Sequence, residues 1–149
     1  MGLGGSIARV SVRNRQRKIS VDTVALEEFA AKAVRCCLRL PPRKRTNLKR
    51  LHDIFLWLIS DRRMARLHWR FLGQRGPTDV LTFQHGEIFI SVETARRYAR
   101  IFGNSLLREL QLYIVHGLLH LHGFEDQTPT GARKMQRAQE KILRCTSEL

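Results

Sequence analysis

His116-Gly117-Leu118-Leu119-His120-Leu121-His122-Gly123-Phe124-Glu125-Asp126 is the stretch that decides how this chain is read. It closes the most apolar helical segment of the sequence, which opens at Ser105 and ends at Gly123. A helix that apolar belongs in a core. His116 and His120 are four residues apart, so on a helix their side chains stack on one face, one turn apart. That spacing suits two imidazoles on one metal ion, and it equally suits two satisfied core histidines. Gly117 lets another element approach closely, and Gly123 permits a left-handed cap. Beyond such a cap the chain can fold back and bring Glu125 or Asp126 to the metal. His122 lies nearly opposite His120 on the helix and does not easily join it; a histidine in a last turn favours the helix dipole. Peptidases of the His-Glu-x-x-His type carry a glutamate directly after the first histidine. Gly117 occupies that place, which leaves a zinc peptidase a distant alternative.

The flanking sequence alternates strand and helix patterns. Val92 to about Phe102 reads as a helix with Arg96, Arg97 and Arg100, ended by Gly103. Asp79–Phe83 and Glu87–Ser91 are separated by only a few residues, which favours an antiparallel hairpin. Gly73–Pro77 is a turn, and Ser60 or Asp61 caps a short helix through Arg70. Ile54–Ile59 is a continuous apolar run rich in β-formers and reads as a buried strand. Asp22 caps a helix to about Leu40 with Leu26, Phe29, Ala30, Ala33, Cys37 and Leu38 at helical spacing, stopped by Pro41 and Pro42. Arg9–Val12 is a short strand, and an amphipathic, basic helix runs from about Gly131 to Cys145. The expected fold is α+β, a single domain over 1–149, with a small mixed sheet of about four strands, about five helices, and the metal-site helix in the core.

Bulk properties point to a polyanionic partner. The 149 residues are 43% hydrophobic, enough for a real core, and they carry 27 Lys and Arg against 13 Asp and Glu, a formal charge of +14. Nucleic acid is the first partner to consider for such a field, and an anionic membrane surface the second. No apolar run approaches the roughly 18–20 residues that span a bilayer. No secretory signal is visible, and the start Met1-Gly2-Leu3-Gly4-Gly5-Ser6 fits only a loose myristoylation pattern. Neither a membrane nor a small-molecule cofactor is expected. Three cysteines, two of them adjacent at Cys36 and Cys37, make no disulfide framework and no Cys-x-x-Cys zinc site. They read as buried or half-buried thiols in a reducing cytoplasm.

The histidine segment resembles the YbeY family of endoribonucleases, rRNA maturation factors with the pattern H-G-x-L-H-L-x-G-[YF]-D-H. His116, Gly117, Leu119, His120, Leu121, Gly123 and Phe124 match it. Pro77-Thr78-Asp79-Val80-Leu81-Thr82-Phe83 is similar to the family's P-T-D-V-L-S-F, and Gly86-Glu87-Ile88-Phe89-Ile90-Ser91 to G-D-I-x-I-S, in the family's order. The resemblance is close over residues 54–126 and covers the rest in general layout. It implies a metal-dependent, single-strand-specific endoribonuclease of rRNA maturation, processing the 16S rRNA 3′ end, and of ribosome quality control. Its partners would be rRNA and ribosomal particles, and its location the cytoplasm. His116 and His120 would be catalytic, and one zinc ion would sit on His116, His120 and Asp126 with a position open for water.

Two departures stand out. The family's third histidine ligand is Asp126 here, and the aspartate before it is Glu125. A carboxylate in place of a neutral imidazole lowers the site's net charge by one and weakens the metal as a Lewis acid. The family's L-N-x-x-[YF]-R-G reads Leu67-His68-Trp69-Arg70-Phe71-Leu72-Gly73, so its functional arginine falls on Leu72. Arg70, two places away, points differently from a helix. Thr78 and Asp79 read as turn residues that bond locally. The basic runs Arg13, Arg15, Arg17, Lys18 and Arg43, Lys44, Arg45, Lys49, Arg50 are concentrated enough for phosphate contacts, and the second is the expected RNA-binding set. The alternative function is a catalytically weakened RNA-binding assembly factor.

Overall fold

A computed structural model describes residues 6–41 and 46–149. The glycine-rich start, Met1 to Gly5, and Arg43, Lys44 and Arg45 of the expected RNA-binding set lie outside the described residues. The elements run β1 (Arg9–Asn14), α1 (Thr23–Arg39), β2 (Asp53–Ile59), α2 (Asp61–Leu72), β3 (Val80–Phe83), β4 (Glu87–Ser91), α3 (Val92–Phe102), α4 (Leu106–Leu121) and α5 (Pro129–Glu148). The sheet order is β1-β2-β4-β3. β1, β2 and β4 are parallel, and β3 returns antiparallel beside β4, as the short connection requires. The single mixed-sheet α+β domain expected from the sequence is the one observed.

Side-chain alternation sorts the two faces of the sheet. Ile54, Leu56 and Leu58 of β2, with Ile88 and Ile90 of β4, are fully buried in the main core under α1, α4 and α5. Register places Ile88 beside Leu56 and Ile90 beside Leu58, so these branched side chains form a continuous floor. On the opposite face, Ile59, Met64 and Leu81 form a smaller cluster beneath α2. Trp57 stacks with Phe89 there at 6.1 Å. Arg13 and Arg15 of the first basic run lie over Phe55 and Trp57 at 6.0 and 5.7 Å, so their guanidinium groups face aromatic rings.

α4 is the central helix: it touches α1, α3, α5, β3 and β4. Its buried residues appear on all sides, among them Leu110, Ile114, Val115, Leu118 and Leu121. The cysteine reading needs correction. Cys36 of α1 and Cys145 of α5 form a disulfide, with Cα atoms 6.0 Å apart and a sequence separation of 109. α1 and α5 pack against each other as well as on α4, and this tertiary contact, invisible in sequence spacing, brings the two sulfurs together. Cys37 stays a free thiol, and burial pushes its pKa up to about 12.

Asp61 ties α2 to α3. Its carboxylate accepts hydrogen bonds from Ser91 Oγ, from Thr94 Oγ1 at 2.7 Å and from Arg97 Nη1 at 2.5 Å. Burial alone raises the Asp61 pKa. The hydrogen bonds from Ser91, Arg97 and Thr94, with the charge of Arg97, outweigh burial and hold it below the ordinary carboxylate range. A depressed carboxyl stabilises the fold above its unfolded pKa, and that contribution fades as pH falls through the folded value. Asp61→Asn is therefore expected to lower stability by about 1–2 kcal/mol at pH 7, with the gap between wild type and variant closing in acid. Urea melts at pH 7 and well below the carboxylate range check this. A gap that persists in acid would show that the charge is not responsible.

Candidate metal centre

α4 begins at Ser105, whose Oγ accepts from Arg108 N at 3.1 Å, and its packing on β4 fixes its rotation. A Cβ on Gly117 would lie 2.9 Å from both Cδ1 and Cγ2 of Ile88, so any side chain there would have to displace the buried Ile88 where the helix meets the strand. The glutamate of a peptidase site would meet the same obstruction at this position. His116 and His120, on the neighbouring face, reach the domain edge with their side chains 28% and 25% exposed.

The helix stops in a reversal. Gly123 takes φ +94°, and Phe124 N donates to Leu119 O at 2.9 Å, the long bond of a left-handed helix cap. The chain doubles back and sets Asp126, of the two acids considered, beside the imidazoles. His122 is fully buried, bonded through Nδ1 to Thr46 Oγ1 and through Nε2 to Leu40 O, each at 2.9 Å. It is a core tie between α4 and the end of α1, which replaces the helix-dipole role read from its position.

The His116, His120 and Asp126 donor atoms lie within 4.8 Å of one another. The two Nε2 atoms are 3.0 Å apart; Asp126 Oδ2 is 3.3 Å from His116 Nε2, and Asp126 Oδ1 is 3.8 Å from His120 Nε2. Donors about 2.0–2.2 Å from a tetrahedral ion are separated by roughly 3.3–3.6 Å, so the spacing fits a single ion. Protonation fits as well. His116 Nδ1 is 2.6 Å from Gln139 Oε1, and His120 Nδ1 is 3.0 Å from Phe124 O. Both partners are oxygens that only accept, so each ring carries its proton on Nδ1 and turns an Nε2 lone pair inward. Two lone pairs and a carboxylate facing each other at these distances repel unless a cation or an added proton sits among them. Burial, and then the nearby His116, hold the His120 pKa below its ordinary value against the opposing pull of Asp126, the Phe124 carbonyl and Glu125. The ring is thereby kept neutral, the form that binds metal.

Gln139 was not legible as a site residue. One signal pointed to it: Met135, Ala138 and Ile142 mark the buried face of α5, and Gln139 is a polar residue on that face, four on from Met135. A polar group on a buried face needs a partner. Of the RNA-binding set, Lys49 and Arg50 are described, and both are exposed. They follow Asn47 and Leu48, whose backbone N–H groups donate to Leu121 O at 2.9 and 3.1 Å, so they stand by the end of α4. Leu72 is 56% exposed at the end of α2, and the Arg70 guanidinium lies over Phe71 at 5.6 Å. Thr78 Oγ1 and Val80 N both donate to Asp79 Oδ1, the local bonding expected of a turn.

An α+β domain that offers two imidazoles from one helix and a carboxylate from its capped end belongs to a class of scaffold suited to one divalent ion with a solvent-facing position. The chain belongs to the Endoribonuclease YbeY family, whose model matches residues 11–147. Relatives called Endoribonuclease YbeY include one from Frankia casuarinae, 30% identical over 90% of this chain and 72% of the relative. One from Thermodesulfovibrio yellowstonii is 28% identical over 90% and 94%. Another, from Frankia alni, is 34% identical, and the match spans 62% of that relative's length. The solution structure of TM1509 from Thermotoga maritima is similar with a TM-score of 0.59 and 26% identity, covering 89% of this chain and 88% of the other.

Proposed function

We propose that this chain is a metal-dependent endoribonuclease that cleaves single-stranded RNA during rRNA maturation, with zinc as its ion. Its substrates would be rRNA, the 16S 3′ end among them, within ribosomal particles in the cytoplasm, with a part in ribosome quality control. The observation that carries the reading is the convergence of His116 Nε2, His120 Nε2 and the Asp126 carboxylate with both Nδ1 protons already engaged. Those three residues would hold the ion, which supplies Lewis acidity toward a phosphodiester oxygen when bound. Gln139 and the Phe124 carbonyl orient the rings, and Lys49 and Arg50 hold RNA phosphates near the end of α4.

A second reading, an RNA-binding assembly factor with weakened catalysis, is favoured by Leu72, an exposed apolar side chain where the family's arginine falls. Elemental analysis paired with cleavage of end-labelled single-stranded rRNA separates the two. About one zinc per chain is expected, with cleavage lost on chelation and restored by zinc. Tight RNA binding and a full metal site without cleavage would establish the second reading. Cleavage unaffected by chelation would overturn the metal assignment.

A further inference from the structure

α5 carries Lys134, Arg137, Lys141 and Arg144 on one helical face, at i, i+3, i+7 and i+10, and all four side chains are exposed. Their span along the helix axis is about 15 Å. Among the described residues none of the four forms an ion pair. Beside them runs a groove of about 600 Å³ between α5 and the end of α1. Its floor is apolar: Leu40 is half-buried, and Phe124 and Ala138 are 7% and 6% exposed. Among the described residues of its lining, Glu140 is the single acid.

The groove reaches the ligand loop at Phe124, two residues before Asp126. Gln139, which bonds His116, is on the opposite flank of α5 from the four cations, about 140–160° around the helix from each, so the groove meets the metal centre round the start of α5 and not across it. A second cavity of about 300 Å³ includes Glu125 and Gln127, the neighbours of Asp126, and shares Phe124 and Lys134 with the groove. The two therefore form one trough that leads from the ligand loop along α5. Cations along the rim over an apolar floor match a single strand, whose phosphates and base faces are both available. A duplex hides its base faces in the stack.

We propose that this trough is the docking track for the single-stranded RNA that flanks the cleavage point, with the four cations on successive phosphates and the floor under the bases. The proposal rests on the endoribonuclease reading and deepens it by naming the path of the substrate. The test is fluorescence titration of an oligouridylate across a range of KCl, with the protein metal-stripped by chelator so that cleavage does not intervene. The proteins are wild type and the quadruple variant K134Q/R137Q/K141Q/R144Q; glutamine is a good helix former, and these positions are exposed. Each neutralised phosphate of a single strand contributes about 0.7 to the slope of log affinity against log salt, so the variant should lose roughly 2.8. The charge-conserving variant K134R/R137K/K141R/R144K should keep the slope.

An unchanged slope in the glutamine variant overturns the proposal. So does an equal loss on a matched RNA duplex, which would make the trough a general polyanion surface. Binding of polyglutamate that needs the four cations, with the RNA slope unmoved, would assign the trough to an acidic polypeptide and overturn it too. Failure of the wild type to cleave RNA when zinc-loaded is a separate result, and it counts against the endoribonuclease reading while the salt slope still reads the trough.

Discussion

His120→Ala is expected to abolish stoichiometric zinc binding and to lower RNA cleavage by about a thousandfold, because the Lewis acidity at stake is worth several kcal/mol and each factor of ten is about 1.4 kcal/mol. The side chain removed provides one of the three donors that the described residues bring to the site. RNA affinity should largely survive, since it comes from many dispersed phosphate contacts. Gln139→Leu makes a graded companion. It leaves all three donors in place but removes the acceptor at His116 Nδ1. Zinc affinity should then fall by about tenfold to a hundredfold, and Gln139→Glu, which keeps an acceptor oxygen there, should recover most of it. A purely structural glutamine would shift the melting temperature and leave zinc affinity alone. Retention of zinc by His120→Ala, measured by titration calorimetry on the folded variant, would refute the ligand assignment.

The double variant Cys36→Ser/Cys145→Ser should melt roughly 10–15 °C below the oxidised wild type. A cross-link that closes a loop of about 100 residues removes chain entropy worth about 4–5 kcal/mol from the unfolded ensemble. At this chain length each kcal/mol moves the midpoint by about 2–4 °C. The bond joins α1 to α5, the helix that carries Gln139. Wild type in a reducing buffer should melt with the variant, and Cys37, buried with a raised pKa, should not exchange into the bond in the native state. Coincident melting curves for oxidised and reduced wild type would show that the bridge adds no stability.

Much of the architecture was legible because local patterns and tertiary packing agree. The apolar run Ile54–Ile59, the caps at Asp22 and Ser105, the cap at Ser60 or Asp61, of which Ser60 is the one observed, and the stop after Phe102 at Gly103 correspond to observed boundaries within a few residues. The spacing of His116 and His120 fixed their shared face before any coordinates, and Gly123 correctly marked the reversal. What stayed hidden depends on contacts between distant segments. Cys36 meets Cys145, and His116 meets Gln139, only because α5 packs across α1 and α4. His122 looked like a helix-end cation until Thr46 and Leu40, far away in sequence, were found on its two nitrogens. That Arg13 and Arg15 lie over Phe55 and Trp57 was also not visible, because a run of cations does not disclose the aromatic side chains of the neighbouring strand.

The position of α5, after every other described element, has a consequence for how the protein is made. Residues emerge from the ribosome in order, and N-terminal parts can assemble first. All four strands are complete by Ser91 and α4 by Leu121, so the nascent chain can build the sheet with its central helix while Gln139 and Cys145 have yet to be translated. In that intermediate Gln139 is not there to accept the His116 Nδ1 proton, and the trough lacks its basic wall and the Ala138 part of its floor. The two imidazoles of α4 are thus in place before the side chain that orients one of them is made, and the centre is completed late in the order of synthesis.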